Sequence, residues 1–399
     1  MPLAVYVLGM AIFAQGTSEL MLAGLLPEMA ADLGVSVPDA GLLISAFALG
    51  MLAGAPVLAL LTRRWPRRRA LLAFLVIFVL AHVAGALATG YATLFATRVI
   101  GAFVYAGFWA VAAITAVGLV PAGARGRAMS VVAGGLTLAT VIGLPAGTVI
   151  GQHLGWRAAF WTVAALSTIA MAGVAATIPG GRPGGEVPRL RHELGAMTSA
   201  RLWVSYGTTA LATGALIVTF SYLGAMLTET TGLPERWVPA VLALYGVGAF
   251  IGVTAGGRTA DTRPFATLYW GFAGLVAVSA ALALTAGSPV PAIALAFLLG
   301  AFGFATNPTL NTRVFVLAGG GRTLATATNV SAFNVGITAG PWLGGLAISA
   351  GAGYPATAWI GAGLGTAALG AVALGAALDR RAATSPAART ARVAAHADA

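Results

Sequence analysis

The sequence predicts an all-α membrane protein of twelve transmembrane helices arranged as two pseudo-symmetric six-helix halves. Composition is the first reason: 59% of the residues are hydrophobic and 8% are charged, with a mean hydropathy of +0.90, whereas a soluble domain carries about a quarter charged residues. Spacing is the second, because apolar runs near the ~20 residues demanded by a hydrocarbon core recur along the whole chain. An internal repeat is the third. A shift of 198 residues aligns Gly50 with Gly248, Gly54 with Gly252 and Pro66 with Pro264, and sets Arg63 opposite Asp261.

The runs fall at 4–27, 40–61, 70–88, 93–118, 128–151 and 158–178, then at 203–226, 238–257, 266–286, 291–312, 324–349 and 356–378. Span one opens with MPLAVYVLG, which lacks the basic start of a signal peptide and is followed by no A-x-A-like site, so it is expected to be retained. Its outer half holds Glu19. A charge at that depth costs at least ~2.5 kcal/mol on insertion scales, so it is expected to face a protein interior or a water-filled path. Span three places His82 near mid-membrane, either as a titrating group or as hydrogen-bonded structure, and span four carries Arg98. Span five contains Gly143, Pro145 and Gly147, and span eleven nearly repeats them in Gly340 and Pro341. Small residues admit close helix approach, and a proline frees a backbone carbonyl and bends the helix. In span ten Pro308, between Asn307 and Asn311, is expected to break the helix, and Asn329 and Asn334 in span eleven to bridge helices. The stretch PGGRPGGEVPRLRHEL separates spans six and seven. The division is therefore a first half over 1–178, a linker over 179–201, a second half over 202–380 and a disordered tail over 381–399.

The net charge of +11 is not a nucleic-acid signal, because the arginines sort by membrane side. Twelve spans put both termini on one side. Nineteen arginines lie in the loops and tail of that side, against Arg157 and Arg236 on the other. An excess of basic residues marks the cytoplasm, so both termini are expected there. No cysteine is present, which excludes a disulfide framework and a Cys-based metal site. No metal-ligand cluster, nucleophile constellation or phosphate-binding loop supports an enzyme, and no filter or ring supports a channel.

Depth links the two buried charges. Arg98 lies seven residues inside Tyr91 and Glu19 seven inside Leu26, which at the helical rise puts both roughly 10 Å below the outer surface. If spans one and four face each other the two can pair, as the states of a proton switch or as a permanent ion pair.

The chain resembles the major facilitator superfamily over nearly its whole length to about residue 380, and the resemblance becomes specific at five places. The loop in GAPVLALLTRRWPRRRALL stands where that family has Gly-x-x-x-Asp-Arg-x-Gly-Arg-Arg, with Ala59 and Arg63 replacing the glycine and aspartate. Its counterpart in the second half keeps Gly257, Asp261 and Arg263. Asp261 could pair with arginines, cap a helix N-terminus, or be a solvated loop charge. Leu94-x-x-x-Arg98-x-x-Gly101 is similar to the motif whose membrane arginine assists proton coupling, and Gly143-Leu-Pro145-Ala-Gly147 to the motif marking drug/proton antiporters. Gly155-Trp156-Arg157 is similar to a turn of the drug-efflux branch, though its aromatics also fit an interfacial belt. QGTSELMLAGLLPEMAADLGVSVPDAGLL resembles the bacterial chloramphenicol-efflux subgroup, while arabinose-type exporters share its Gly-Thr-x-Glu pattern.

The resemblance implies a monomeric transporter of the bacterial cytoplasmic membrane, using the proton gradient and no cofactor, with substrate bound between halves that rock. Its cavity would be lined by spans one, four, seven and ten. The polar and aromatic candidates there are Gln15 and Glu19, then Tyr105, Phe108 and Trp109, then Thr213, Phe220 and Tyr222 beside Thr209, and finally Asn307 and Asn311. An apolar, aromatic cleft with few polar anchors suits a neutral amphiphile. The expected function is proton-coupled export of small lipophilic drugs, most plausibly chloramphenicol-like. The alternatives are export of a sugar or other metabolite, or proton-coupled nutrient import.

Overall fold

A computed structural model describes residues 1–62, 65–121, 124–180, 199–260, 262–318 and 323–384. Span one is Leu3–Leu20, tightened into a 3-10 turn at Met21–Gly24, and a short helix Leu26–Leu33 follows it. Spans two to four are Val37–Leu61, Arg67–Ala86 and Tyr91–Gly118. Span five is Arg125–Leu138 joined to Leu144–Leu154 through a π-helical turn at Ala139–Gly143, and span six is Trp156–Thr177. The second half runs Ala200–Ser221, Val238–Thr259, Pro264–Thr285, Pro289–Ala305 with Asn307–Leu317, Thr323–Ser349 and Pro355–Thr384.

Among the described residues, eleven of these helices are long and apolar enough to cross a membrane. Span eleven, at 27 residues, is long enough too, but Asn334, Thr338, Pro341 and its glycines dilute its hydropathy. Span twelve extends past the boundary expected at residue 381, so the first residues of the expected tail complete its last turn. The rest of that tail and linker residues 181–198 lie outside the described residues, as do Arg63 and Asp261.

Prolines sit in the first turns of spans two, eight, nine and ten, where the missing N–H has no intrahelical acceptor to lose. Breaks follow the chain chemistry. Pro145 comes just after the π turn of span five, and Pro308 opens the second segment of span ten after Thr306. The connection between spans five and six is a single residue, Gly155, at φ +81°, a conformation that glycine adopts without steric cost.

The internal repeat is also a packing repeat. A Cβ at Gly50 or Gly54 would strike the carbonyl oxygens of Val99 or Phe103 in span four, and one at Gly248 or Gly252 those of Phe297 or Ala301 in span ten. Val99 to Phe297 and Phe103 to Ala301 is again the 198-residue shift. Spans two and eight thus lie backbone-to-backbone on spans four and ten in the same register, the close approach small residues permit.

The halves meet along two seams, span two with span eleven and span five with span eight. Beside the first, Gly41 of span two abuts Tyr222 at the end of span seven; in the second, Gly246 abuts the backbone at Thr140 and Val141; and Gly24 of span one abuts Leu242 of span eight. These contacts sit in the part of the bundle away from the termini. Leu80, Leu154, Leu284 and Val290 remain exposed on the outside, as an apolar lipid-facing surface requires.

Candidate functional site

Span one ends its α-helical part at Leu20, and the last carbonyls of a helix lack intrahelical donors. Ser18 is in that last turn. Arg98, 2% exposed, reaches it from span four and donates from Nη1 to the Ser18 carbonyl at 3.0 Å and to Ser18 Oγ at 2.8 Å. The guanidinium also stacks 4.2 Å from the Phe47 ring centroid. Ser18 Oγ lies 2.6 Å from His82 Nε2, and His82 Nδ1 lies 2.8 Å from the Phe78 carbonyl. Spans one, three and four are therefore tied by one buried polar chain, with Tyr105 against Phe47 and Phe78 at centroid distances of 6.0 and 6.4 Å.

Glu19 lies within electrostatic range of Arg98 and Tyr105 and stays partly exposed. It makes no ion pair with Arg98 among the described residues. The expected direct contact is replaced by the Ser18 carbonyl and hydroxyl, which offer Arg98 two fixed acceptors at once. Several buried groups keep unused capacity: among the described residues, Arg98 Nε and Nη2, and Gln15 Oε1, have no hydrogen-bond partner. Gln15 is fully buried and uses only its Nε2, toward the Ala11 carbonyl at 3.2 Å.

In the second half Thr209 Oγ1 donates to Asn329 Oδ1 at 3.0 Å, Asn329 Nδ2 to Asn311 Oδ1 at 3.0 Å, and Asn311 Nδ2 to the Asn307 carbonyl at 3.0 Å. Asn329 bridges spans seven and ten as expected. Asn334 does not, since its Nδ2 turns back to Val330 of its own helix and its Oδ1 has no partner. Asn311 is exposed and Asn307 partly so. Thr213 spends its hydroxyl on the Thr209 carbonyl, 2.9 Å away.

The aromatic candidates separate. Trp109 is partly exposed, whereas Phe108 is wholly buried in the first-half core. Phe220 stacks on Tyr245 with centroids 4.6 Å apart. Tyr222 is a seam residue and not a free cavity wall: it is fully buried, packs on Gly41 of the other half, and donates to the Pro341 carbonyl at 2.7 Å. Beside it Ser45 of span two donates to the Thr338 carbonyl of span eleven at 2.8 Å.

The expected motif glycines do pack helices. Cβ atoms at Gly143 and Gly147 would meet Thr17 and Met21 of span one, and one at Gly340 the backbone of Val218 in span seven. Gly257 and Arg263 are exposed at the far end of span eight.

Outside the membrane depth, Asp32 ties the short helix to span six. Trp156 Nε1 donates to its Oδ2 at 3.0 Å, Arg157 forms an ion pair with it, and Arg157 Nη2 donates to the Ala88 carbonyl at 3.1 Å. The Arg157 and Trp156 hydrogen bonds hold the Asp32 carboxyl below the ordinary range. Glu28 is the opposite case. Burial, with a smaller push from Glu235 of the other half, raises its carboxyl, and its Oε2 has no partner among the described residues. At the other face, Asp379 of span twelve binds Arg201 at 2.6 Å and Arg313 at 3.1 Å.

Sequence reasoning placed Glu19 and Arg98 near each other but missed Ser18 and Phe47 as the groups that hold the arginine. Ser18 carries a faint signal, a hydroxyl beside the membrane carboxylate. Phe47 carries none, being one apolar residue in an apolar span.

A family model described as Major Facilitator Superfamily matches residues 8–322. The chain is similar to a chloramphenicol resistance protein of Streptomyces lividans, 46% identical over 346 residues that cover 86% of this chain and 88% of the relative. It is also similar to the inner membrane transport protein YdhP of Escherichia coli, 35% identical over 87% of this chain and 89% of that one. Its fold is similar to that of a bacterial homolog of the human lysosomal transporter Spinster, solved in an inward-facing, unoccupied conformation, with a TM-score of 0.70, 18% identity and 93% of each chain covered.

Proposed function

Because the chain belongs to the Major Facilitator Superfamily, and is therefore a multi-pass membrane transporter and not an enzyme, we propose that it exports small lipophilic drugs of the chloramphenicol type in exchange for protons. The observation that carries the drug class is the 46% identity, over most of both chains, to a protein named for chloramphenicol resistance. The coupling rests on Glu19, a partly exposed residue whose carboxylate forms no ion pair among the described residues, beside the buried Arg98.

In this mechanism protonation of Glu19 from outside releases substrate, and its deprotonation inside restores the binding state. Gln15 Oε1 and the Asn307 side chain supply polar anchors, and Trp109 a partly exposed aromatic surface. The protein works as a monomer in the bacterial cytoplasmic membrane with both termini inside, following the arginine distribution, and draws on the proton gradient with no cofactor.

The test is an inside-acid gradient across everted vesicles, with chloramphenicol added and internal pH recorded. The expected result is collapse of the gradient on drug addition, lost in Glu19→Gln at equal protein in the membrane. A response to a sugar or another compound but not to chloramphenicol would overturn the drug class. An undiminished response in Glu19→Gln would overturn the coupling site.

A further inference from the structure

We infer that His82 is a positioning residue which, acting through Ser18, holds Arg98 off Glu19; the inference rests on the reading of Glu19 and Arg98 as the coupling pair. Its basis is the direction of each hydrogen bond. The Phe78 carbonyl can only accept, so the His82 Nδ1 facing it at 2.8 Å carries the hydrogen. His82 Nε2 then offers a lone pair to Ser18 Oγ, 2.6 Å away. Arg98 Nη1 can only donate, so Ser18 Oγ accepts from it at 2.8 Å and has one proton left, which goes to Nε2. The three groups thus have one consistent orientation, running from Arg98 through Ser18 to His82 and on to the span-three backbone.

Removing the acceptor at Nε2 undoes this order. A serine hydroxyl in a helix turns back readily to the carbonyl of the preceding turn, which for Ser18 is that of Ala14. Arg98 then keeps the Ser18 carbonyl alone. The nearby carboxylate of Glu19 becomes the better partner, because a guanidinium binds a charged carboxylate more strongly than a neutral carbonyl or hydroxyl. His82 is 3% exposed and ringed by Phe78 at 4.1 Å and Phe160 at 5.7 Å. Its influence passes through the arginine. The charged and titratable neighbours on the packed elements are Arg98, Glu19 and Tyr105.

Two measurements test the assignment. Histidine-selective ¹⁵N NMR is direct, since the chain has four histidines and His82→Gln identifies the signal. The expected spectrum has Nδ1 protonated and Nε2 as acceptor, with the Nε2 resonance moving on Ser18→Ala; an Nε2–H tautomer, or an Nε2 unmoved by Ser18→Ala, would overturn the inference even if no drug is transported. The second is the pH profile of drug-driven proton movement. His82→Leu and Ser18→Ala should each lower turnover about tenfold and shift the profile toward acid, since an arginine-paired Glu19 needs more acid to take its proton. The double variant should add nothing further, and His82→Gln, which keeps an acceptor, should restore the wild-type profile. A profile unchanged in both His82→Leu and Ser18→Ala would overturn the role.

Discussion

Arg98 and Asp32 show how differently one ion-pairing possibility is used at two depths. Arg98 is withdrawn from water, and among the described residues two of its nitrogens have no hydrogen-bond partner, an arrangement rare for buried polar groups. Asp32 sits near the surface, with its own and the Arg157 side chain 44% and 39% exposed, so its pairing contributes about 0.2–1 kcal/mol. The Asp32 carboxyl is held below its ordinary range by Arg157 and Trp156. Its contribution is therefore complete above the unfolded-state aspartate value and is lost as pH falls through the lower folded value. Asp32→Asn should lower the thermal midpoint slightly at neutral pH and match wild type in strong acid. A gap that widened on acidification would contradict this sign.

At the scale of elements, the paired glycine contacts set spans two and eight on spans four and ten in matching register. Lipid supplies no hydrophobic drive between helices, so association rests on close packing. Gly54→Ala and Gly252→Ala each place a Cβ against a carbonyl oxygen of the neighbouring span. Overpacking of that kind typically costs about 1–3 kcal/mol. Both variants should lose thermal stability in detergent by similar amounts because the two sites are repeats, whereas Gly134→Ala, with nothing near its added Cβ, should behave as wild type. A large difference between the Gly54 and Gly252 variants would argue that the two halves are not packed equivalently. This register was legible before the structure, because Gly50, Gly54, Gly248 and Gly252 line up in the chain. What they touch was not, since Val99 and Phe297 are ordinary apolar positions that contribute only backbone.

At the scale of the whole molecule, the halves are held together on the side away from the termini by Ser45 on the Thr338 carbonyl and by the Tyr222 ring against Gly41, a ring whose hydroxyl is anchored on the Pro341 carbonyl of its own half. Tyr222→Phe removes a hydrogen bond worth about 1 kcal/mol that anchors the ring packed on Gly41 at that seam. The chain has no cysteine, so a single Ser45→Cys reports seam opening cleanly. Adding Tyr222→Phe should raise its labelling by an impermeant maleimide from the far side, and unchanged labelling would remove Tyr222 from the seam's energetics. Glu28 gives a second handle. Its carboxyl is raised by burial and by Glu235 across the seam, so its protonated form favours the closed arrangement, fully below the unfolded glutamate value and less as pH rises through the folded one. Glu28→Gln should stabilise the protein at neutral pH and lose that advantage in acid; destabilisation at neutral pH would reverse the assignment.

The sequence by itself determined the membrane class, the span positions, the twofold repeat and the two charges at depth, because bilayer thickness and the expense of burying charge act directly on residue type and spacing. It also named Gly143, Pro145, Gly340 and Pro341 as packing and bending points, since small residues and proline act through local backbone chemistry. Only the tertiary structure decided that Arg98 turns to Ser18 and forms no ion pair with Glu19 among the described residues, that His82 meets that serine, that Thr209 and Asn311 are joined through Asn329, and that Tyr222 packs on Gly41 at a seam. Each of these is a choice among several acceptors within reach. Such choices depend on helix rotation and side-chain direction, which spacing along the chain does not encode.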